Sequence, residues 1–391
     1  MLGVVTLAEL LGMSLWFAAS AVSGQYAAQW SLSTGEAAWL TTIVQLGFVA
    51  GTAISALLNL ADLVPARLLF ACCAMVGAIA NSMLLTADGL SGALAWRFVT
   101  GLALAGVYPP AMKMIATWFR ERRGLAVGTI VGALTVGKAM PYLVHAIPGA
   151  GITPVVLSAS IGACGAALLV WFSYREGPYP FPSRPFSWHL VRDVVRTPAW
   201  RLSTGGYLGH MFELYAAWTW LPVFIAASMV AHNPTAGARG ASLASAVAFA
   251  ALAIGGAGCI WGGLVADRRG RAWLVTRAMA ISGACAVLIG FAFGRSLWLL
   301  VPIALVWGFF VIADSAQFSV LVTESVPPYA VGTALTLQTS LGFLLTAVVI
   351  QLVPPLAARV GWPWAFAVLS LGPVFGMWSI RQLVRNTAGH R

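Results

Sequence analysis

Seven side chains that can carry charge lie inside runs otherwise apolar enough to enter a lipid bilayer: Glu9, Arg97, Lys113, Lys138, His210, Glu213 and Asp314. The sharpest case is "GHMFELYAAWTWLPVFIA" (209–226), where His210 and Glu213 stand three residues apart and share one face of a helix. A carboxylate in hydrocarbon costs at least about 2.5 kcal/mol, so something must offset it. At 1.5 Å per residue Glu213 falls near the middle of the bilayer. There a carboxyl group facing a water-accessible space between helices is suited to taking up and releasing a proton, or to balancing a cation. Lys138 is similarly deep and needs an anion, either a protein carboxylate (Glu9 or Glu213) or a ligand. It and Lys113 are the only lysines in the chain. Glu9 lies nearer the start of its run and reaches water more easily.

The other charged positions admit plainer roles. Lys113 follows Tyr108-Pro109-Pro110, whose prolines free backbone carbonyls, and it is close enough to its helix end to snorkel. Asp314, in "VIADSAQFS" with Ser315, Gln317 and Ser319, belongs to a polar patch suited to lining a cavity. Arg97 is placed to stabilise the outer part of its helix. Trp16, Phe17, Trp218 and Trp220 are candidates for flanking a ligand, or for simple helix packing. There is no P-loop, HExxH or GxSxG, and Cys72, Cys73, Cys164, Cys259 and Cys285 show no metal-ligand spacing. Neither an enzyme nor a metal or cofactor site is expected.

These residues must be held by membrane helices. The chain is 60% hydrophobic and only 8% charged, against about 25% charged in soluble domains. A span needs about 20 apolar residues, and twelve runs qualify: 3–24, 37–58, 66–86, 92–117, 124–146, 152–174, 203–228, 241–265, 272–293, 297–323, 331–354 and 361–381. The first lacks a basic leader and contains Glu9, so it reads as a retained span. The Pro- and Arg-rich stretch 175–202 divides an N-terminal six-helix bundle (1–174) from a C-terminal one (203–391), with a short interfacial helix near 187–196. The net charge of +11 reports orientation rather than nucleic-acid binding. With the N-terminus cytoplasmic, the inner loops hold sixteen arginines, including Arg67, Arg120, Arg122, Arg123, Arg184, Arg268, Arg271 and Arg391. The outer loops hold three, Arg239, Arg295 and Arg359. Both termini are therefore expected in the cytoplasm.

The halves repeat. Glu9 and Trp16 recur as Glu213 and Trp220 at an offset of 204, "AASAV" as "AASMV" at 208, Asp62 as Asp267 at 205, and Gly101 as Gly308 at 207. Two related six-helix halves suggest rocking around a central site.

The loop "GGLVADRRGRAW" (262–273) resembles the loop signature of the major facilitator superfamily, carried here by Gly262, Leu264, Asp267, Arg268, Gly270 and Arg271. The first-half copy "LLNLADLVPARLL" (57–69) keeps Asp62 and Arg67 but has Leu58 and Pro65 in place of glycines. The stretch 97–128 is similar to the family's fourth and fifth helices, a likeness that also allows Arg97 a role in proton coupling. The resemblance implies an all-α membrane protein of twelve transmembrane helices in two pseudo-symmetric six-helix bundles, with these loops as cytoplasmic latches. It also implies a secondary active transporter in a bacterial inner membrane, proton-coupled and working as a monomer on a small organic solute, and the lysines and arginine inside the spans point to an anionic one. The fifth helix lacks the Gly-Pro-x-x-Gly-Gly element of the family's drug antiporters, and the second and eighth lack the arginines of its nitrate porters. A non-transporting membrane sensor or assembly subunit on the same scaffold is the alternative class.

Overall fold

The computed structural model of the protein describes residues 1–119, 123–179, 187–234 and 237–388. Arg120, Arg122, Arg184 and Arg391 lie outside the described residues, as do the side chains of Asp62, Arg123 and Arg239. Among the described residues, eleven helices are long and apolar enough to cross a membrane. They are Thr34–Leu57, Ala66–Thr86, Leu90–Ala116, Gly124–His145, Ile152–Ser173, Pro198–His232, Gly240–Arg269, Arg271–Phe291, Leu297–Ser325, Pro328–Val360 and Trp362–Asn386, referred to below as the second to twelfth spans.

The first run departs from the single helix expected over 3–24. It is broken into Leu2–Met13, Ala18–Ala21 and Ser23–Trp30. Neither Pro nor Gly lies in the turn at 14–17. Instead the Ser14 hydroxyl donates back to Leu11 O at 2.6 Å, a local bond that competes with the helix ladder. The fourth span is interrupted between Leu104 and Tyr108, where Pro109 and Pro110 supply no backbone N–H. The tenth is interrupted at Asp314. The second span begins with a capping box in which Ser33 and Glu36 satisfy each other's amides.

The internal repeat is visible as packing. A side chain at Gly101 would collide with the Val44 backbone, and one at Gly308 with the Ala251 backbone. Positions 44 and 251 are 207 apart, the same offset as the two glycines. Each glycine thus lets its helix press main chain to main chain against an equivalent neighbour, the fourth span on the second and the tenth on the eighth. Across the halves, the fifth span packs along the eighth and the second along the eleventh. Two polar bonds tie these pairs at the ends that the charge bias places outside. His145 Nδ1 lies 2.7 Å from Ser245 Oγ, and Gln351 Nε2 donates to Thr42 Oγ1 at 2.9 Å.

Between the halves, the short helix Trp188–Arg196 buries Val194 in a cluster with Trp200, Val322 and Ala334. That clamps it to the ends of the seventh, tenth and eleventh spans.

Candidate functional site

The first and fifth spans meet where Gly137, lacking a Cβ, rests on the backbone of Leu10. This close approach sets the neighbours of both residues, Glu9 and Lys138, at the centre of the molecule. Lys138 is 1% exposed. Its ammonium donates to the Tyr215 hydroxyl and stands 3.9 Å from the Trp16 ring centroid, 4.7 Å from that of Tyr215 and 5.7 Å from that of Trp218. Cation–π attraction is strongest when the cation is stripped of water, and here it replaces much of the lost hydration. Phe343 closes the enclosure, 5.5 Å from Trp16 and 5.2 Å from Tyr215, and Phe48 backs Trp16 at 5.1 Å. The first, second, fifth, seventh and eleventh spans all contribute, so both halves hold the same cation.

Around it lies polar chemistry without partners. Both carboxylate oxygens of Glu9 are buried with no hydrogen-bond partner among the described residues, and so are the indole N–H groups of Trp16 and Trp218, both amide atoms of Gln45 and the Tyr142 hydroxyl. The Lys138 charge acts on Glu9, yet the two groups do not touch. Tyr142 is one turn beyond Lys138 on the same helix face, and Gln45 is one turn before Phe48.

Arg97 has a different task. Its guanidinium donates to Leu15 O at 3.0 Å, Trp16 O at 2.5 Å, Leu40 O at 3.2 Å and Asn81 Oδ1 at 3.1 Å. The break in the first run frees Trp16 O and leaves Leu15 O only a 3.4 Å turn bond from Ala18 N, so Arg97 fastens that break and fixes where Trp16 points. Asn81 is held in turn by Val156 O and Ser160 Oγ.

Glu213 is not where the sequence placed it. Rather than facing a space between the halves, its buried carboxylate accepts from Ser282 Oγ at 2.8 Å and from Trp307 Nε1 at 2.7 Å, on the ninth and tenth spans. The cost of burial is offset inside its own half. His210 turns to Asp314 instead, Nδ1 to Oδ1 at 2.9 Å with both side chains 2% exposed, at the interruption of the tenth span. Trp220 donates to Ile350 O at 2.9 Å and is fully used in packing. Lys113 is half-buried in the last turn before Ala116.

The loop residues form a separate group. A methyl placed on Gly124 would lie 3.7 Å from Asp267 Oδ2, so this carboxylate sits at the start of the fifth span, where helix-end N–H groups favour negative charge. Arg271 pairs with Glu324 at 2.8 Å, and Gly270 turns the chain at φ +87°. Gly262 packs on the Ala313 backbone, Arg268 is exposed, and Arg67 stands 5.6 Å from the Trp171 ring.

Sequence reasoning reached Lys138, Glu9, Trp16 and Trp218, but not Tyr215, Gln45, Phe48, Phe343 or Tyr142. Aromatic residues occur in most spans, and nothing in their spacing marks those that converge on one lysine.

The family model described as Major Facilitator Superfamily matches residues 5–350. Among curated proteins, the niacin transporter NiaP of Acinetobacter baylyi is 29% identical over 89 residues, 23% of this chain and 20% of that protein, so the match spans about a fifth of the relative's length. Among solved structures, an inward-facing, unoccupied bacterial homolog of the human lysosomal transporter Spinster superposes with a TM-score of 0.73 at 16% identity, over 98% of this chain and 97% of that one. A mutant of the nucleoside transporter NupG gives 0.70 at 16% identity, over 98% and 99%. At these identities the structural likeness concerns the fold alone.

Proposed function

The chain belongs to the Major Facilitator Superfamily, and we propose that it is a secondary active transporter that alternates access around Lys138, moving a small organic anion together with protons. The observation that carries this reading is Lys138 itself. It is a fully buried ammonium that donates to one neutral hydroxyl and is otherwise enclosed by rings from both halves. An anion entering the centre finds there a cation with unused N–H donors and two indole N–H groups without acceptors. Niacin, the compound named for the relative from Acinetobacter baylyi, is a small carboxylic acid, which is consistent with this chemistry.

Charge balance supplies the coupling. With Lys138 and Glu9 both ionised, the empty centre is neutral. Adding a monoanion leaves one uncompensated negative charge in a low-dielectric interior, which is strongly unfavourable. A proton on Glu9 restores neutrality, so each anion brings one proton. Glu9 therefore takes the coupling role first expected of Glu213. In this reading the protein works as a single chain in a bacterial inner membrane with both termini in the cytoplasm, and the Asp267 and Arg271–Glu324 contacts latch its inner face.

The test is uptake of a panel of small carboxylates into proteoliposomes under an imposed pH gradient. Uptake with accompanying proton flux is expected for wild type, and loss of both for Lys138→Met. In Glu9→Gln, solute exchange should persist without proton flux. Full coupled transport by Lys138→Met would overturn the reading.

A further inference from the structure

The two halves are built to one pattern but finished differently. In the second half, the repeat partners of Glu9 and Trp16 are satisfied within the protein: Glu213 by Ser282 and Trp307, Trp220 by Ile350 O. In the first half, Glu9 and Trp16 are each 0% exposed, and the Glu9 oxygens and Trp16 Nε1 have no partner among the described residues. A buried acceptor or donor left unmade costs about 1–3 kcal/mol, and more when charged. Such a cost at one repeat copy only, beside the central lysine, marks groups reserved for a ligand.

The kinds of unmade bond constrain that ligand. Lys138 and the indole N–H groups of Trp16 and Trp218 ask for acceptors, which one carboxylate supplies. Glu9 asks for the opposite: a group that holds or shares a proton. It lies beyond ion-pair contact with Lys138, so one compact molecule must present an acidic group to one and a proton-sharing group to the other. Lys138 is surrounded by aromatic faces. Trp16, Tyr215 and Phe343 have mutual centroid separations of 5.2–5.7 Å, and Trp218 lies 5.5 Å from Tyr215. Rings favour a flat partner that can stack or meet them edge to face.

We infer that the ligand is a planar nitrogen-heteroaromatic acid, with its carboxylate on Lys138, its ring among Trp16, Tyr215, Trp218 and Phe343, and its ring nitrogen sharing one proton with Glu9. This rests on the reading of Lys138 as the anion contact and narrows it to a substrate class. The shared proton is the one that charge balance requires: it lies on the Glu9 oxygen or on the ring nitrogen, and no further proton is taken up.

The test uses the full-length protein in lipid nanodiscs and calorimetric titration with three probes of equal charge: pyridine-3-carboxylate, benzoate and cyclohexanecarboxylate. Wild type should bind pyridine-3-carboxylate at least tenfold more tightly than benzoate, and benzoate more tightly than cyclohexanecarboxylate. Glu9→Leu removes the proton-sharing group while keeping the apolar volume, so it should bring pyridine-3-carboxylate and benzoate within about twofold of each other. Lys138→Met should lose all three. Equal wild-type affinity for pyridine-3-carboxylate and benzoate, or a preference that survives Glu9→Leu, overturns the role of the ring nitrogen. Failure of wild type to bind any of the three overturns the substrate class. The transporter reading is judged separately, by Lys138-dependent uptake across a panel that includes aliphatic acids.

Discussion

Replacing Arg97 by methionine removes a buried cation that serves four acceptors at once, three of them main-chain carbonyls. The substitution keeps most of the side-chain volume, so the loss is one of hydrogen bonds rather than packing. Interhelical polar bonds in membrane proteins average about 0.6 kcal/mol, which sets a floor of about 2.4 kcal/mol for four. Leu40 O stays in its helix ladder and Leu15 O keeps its bond from Ala18 N, so two acceptors are orphaned, Trp16 O and Asn81 Oδ1, at about 1–3 kcal/mol each, which sets a ceiling near 6 kcal/mol. Even the floor is a large part of a typical folding stability of about 5–15 kcal/mol. Thermal unfolding of purified protein should therefore show Arg97→Met at least about 3 °C below wild type, with low yield. Arg97→Lys keeps the charge but not the fork geometry that reaches several carbonyls at once. It should fall between the two and bind substrate more weakly, because Trp16 is no longer held in place. If Arg97→Met unfolds within 1 °C of wild type, the guanidinium is not the fastening of the broken first helix.

Two other substitutions bear on the same centre. Glu213→Gln keeps a carbonyl to accept from Trp307 and a polar partner for Ser282, so it should lose less than about 1 kcal/mol of stability and keep solute-driven proton flux in proteoliposomes. Loss of that flux would return the coupling role to the seventh span. Gly137→Ala drives a methyl into the Leu10 backbone and should cost about 1–3 kcal/mol in overpacking, with weakened substrate binding by calorimetry because Glu9 and Lys138 are displaced from each other. Unchanged binding would show that their spacing is set elsewhere.

Much of the scaffold was legible from composition and periodicity, because a bilayer forces every span to be long and apolar. The loop motif and the offset near 205 added the family and the twofold pattern. The interruption of the fourth span could be read from Pro109 and Pro110, and the short helix near 187–196 was expected from its flanking composition. The break at 14–17 could not be read, because it depends on Arg97 from another span receiving the carbonyls it frees. The same limit explains Glu213 and Glu9. Both are glutamates seven residues before a tryptophan, alike in sequence. Only partners on other spans, Ser282 and Trp307 for one and none among the described residues for the other, separate a satisfied carboxylate from an unsatisfied one. Long-range pairing between polar side chains leaves no trace in local spacing, so the sequence nominated both glutamates and could not tell them apart.

The Arg97 fastening has one more consequence. It grips main-chain oxygens, which every amino acid possesses, and is indifferent to the side chains at 15 and 16. The bend in the first helix can therefore survive a change of residue at the very position whose ring faces Lys138. Architecture and selectivity are inherited separately here. An arginine on one helix keeps the shape, leaving the side chain at position 16 free to vary in size and polarity. A lineage could change its cargo by one substitution without passing through an unfolded ancestor.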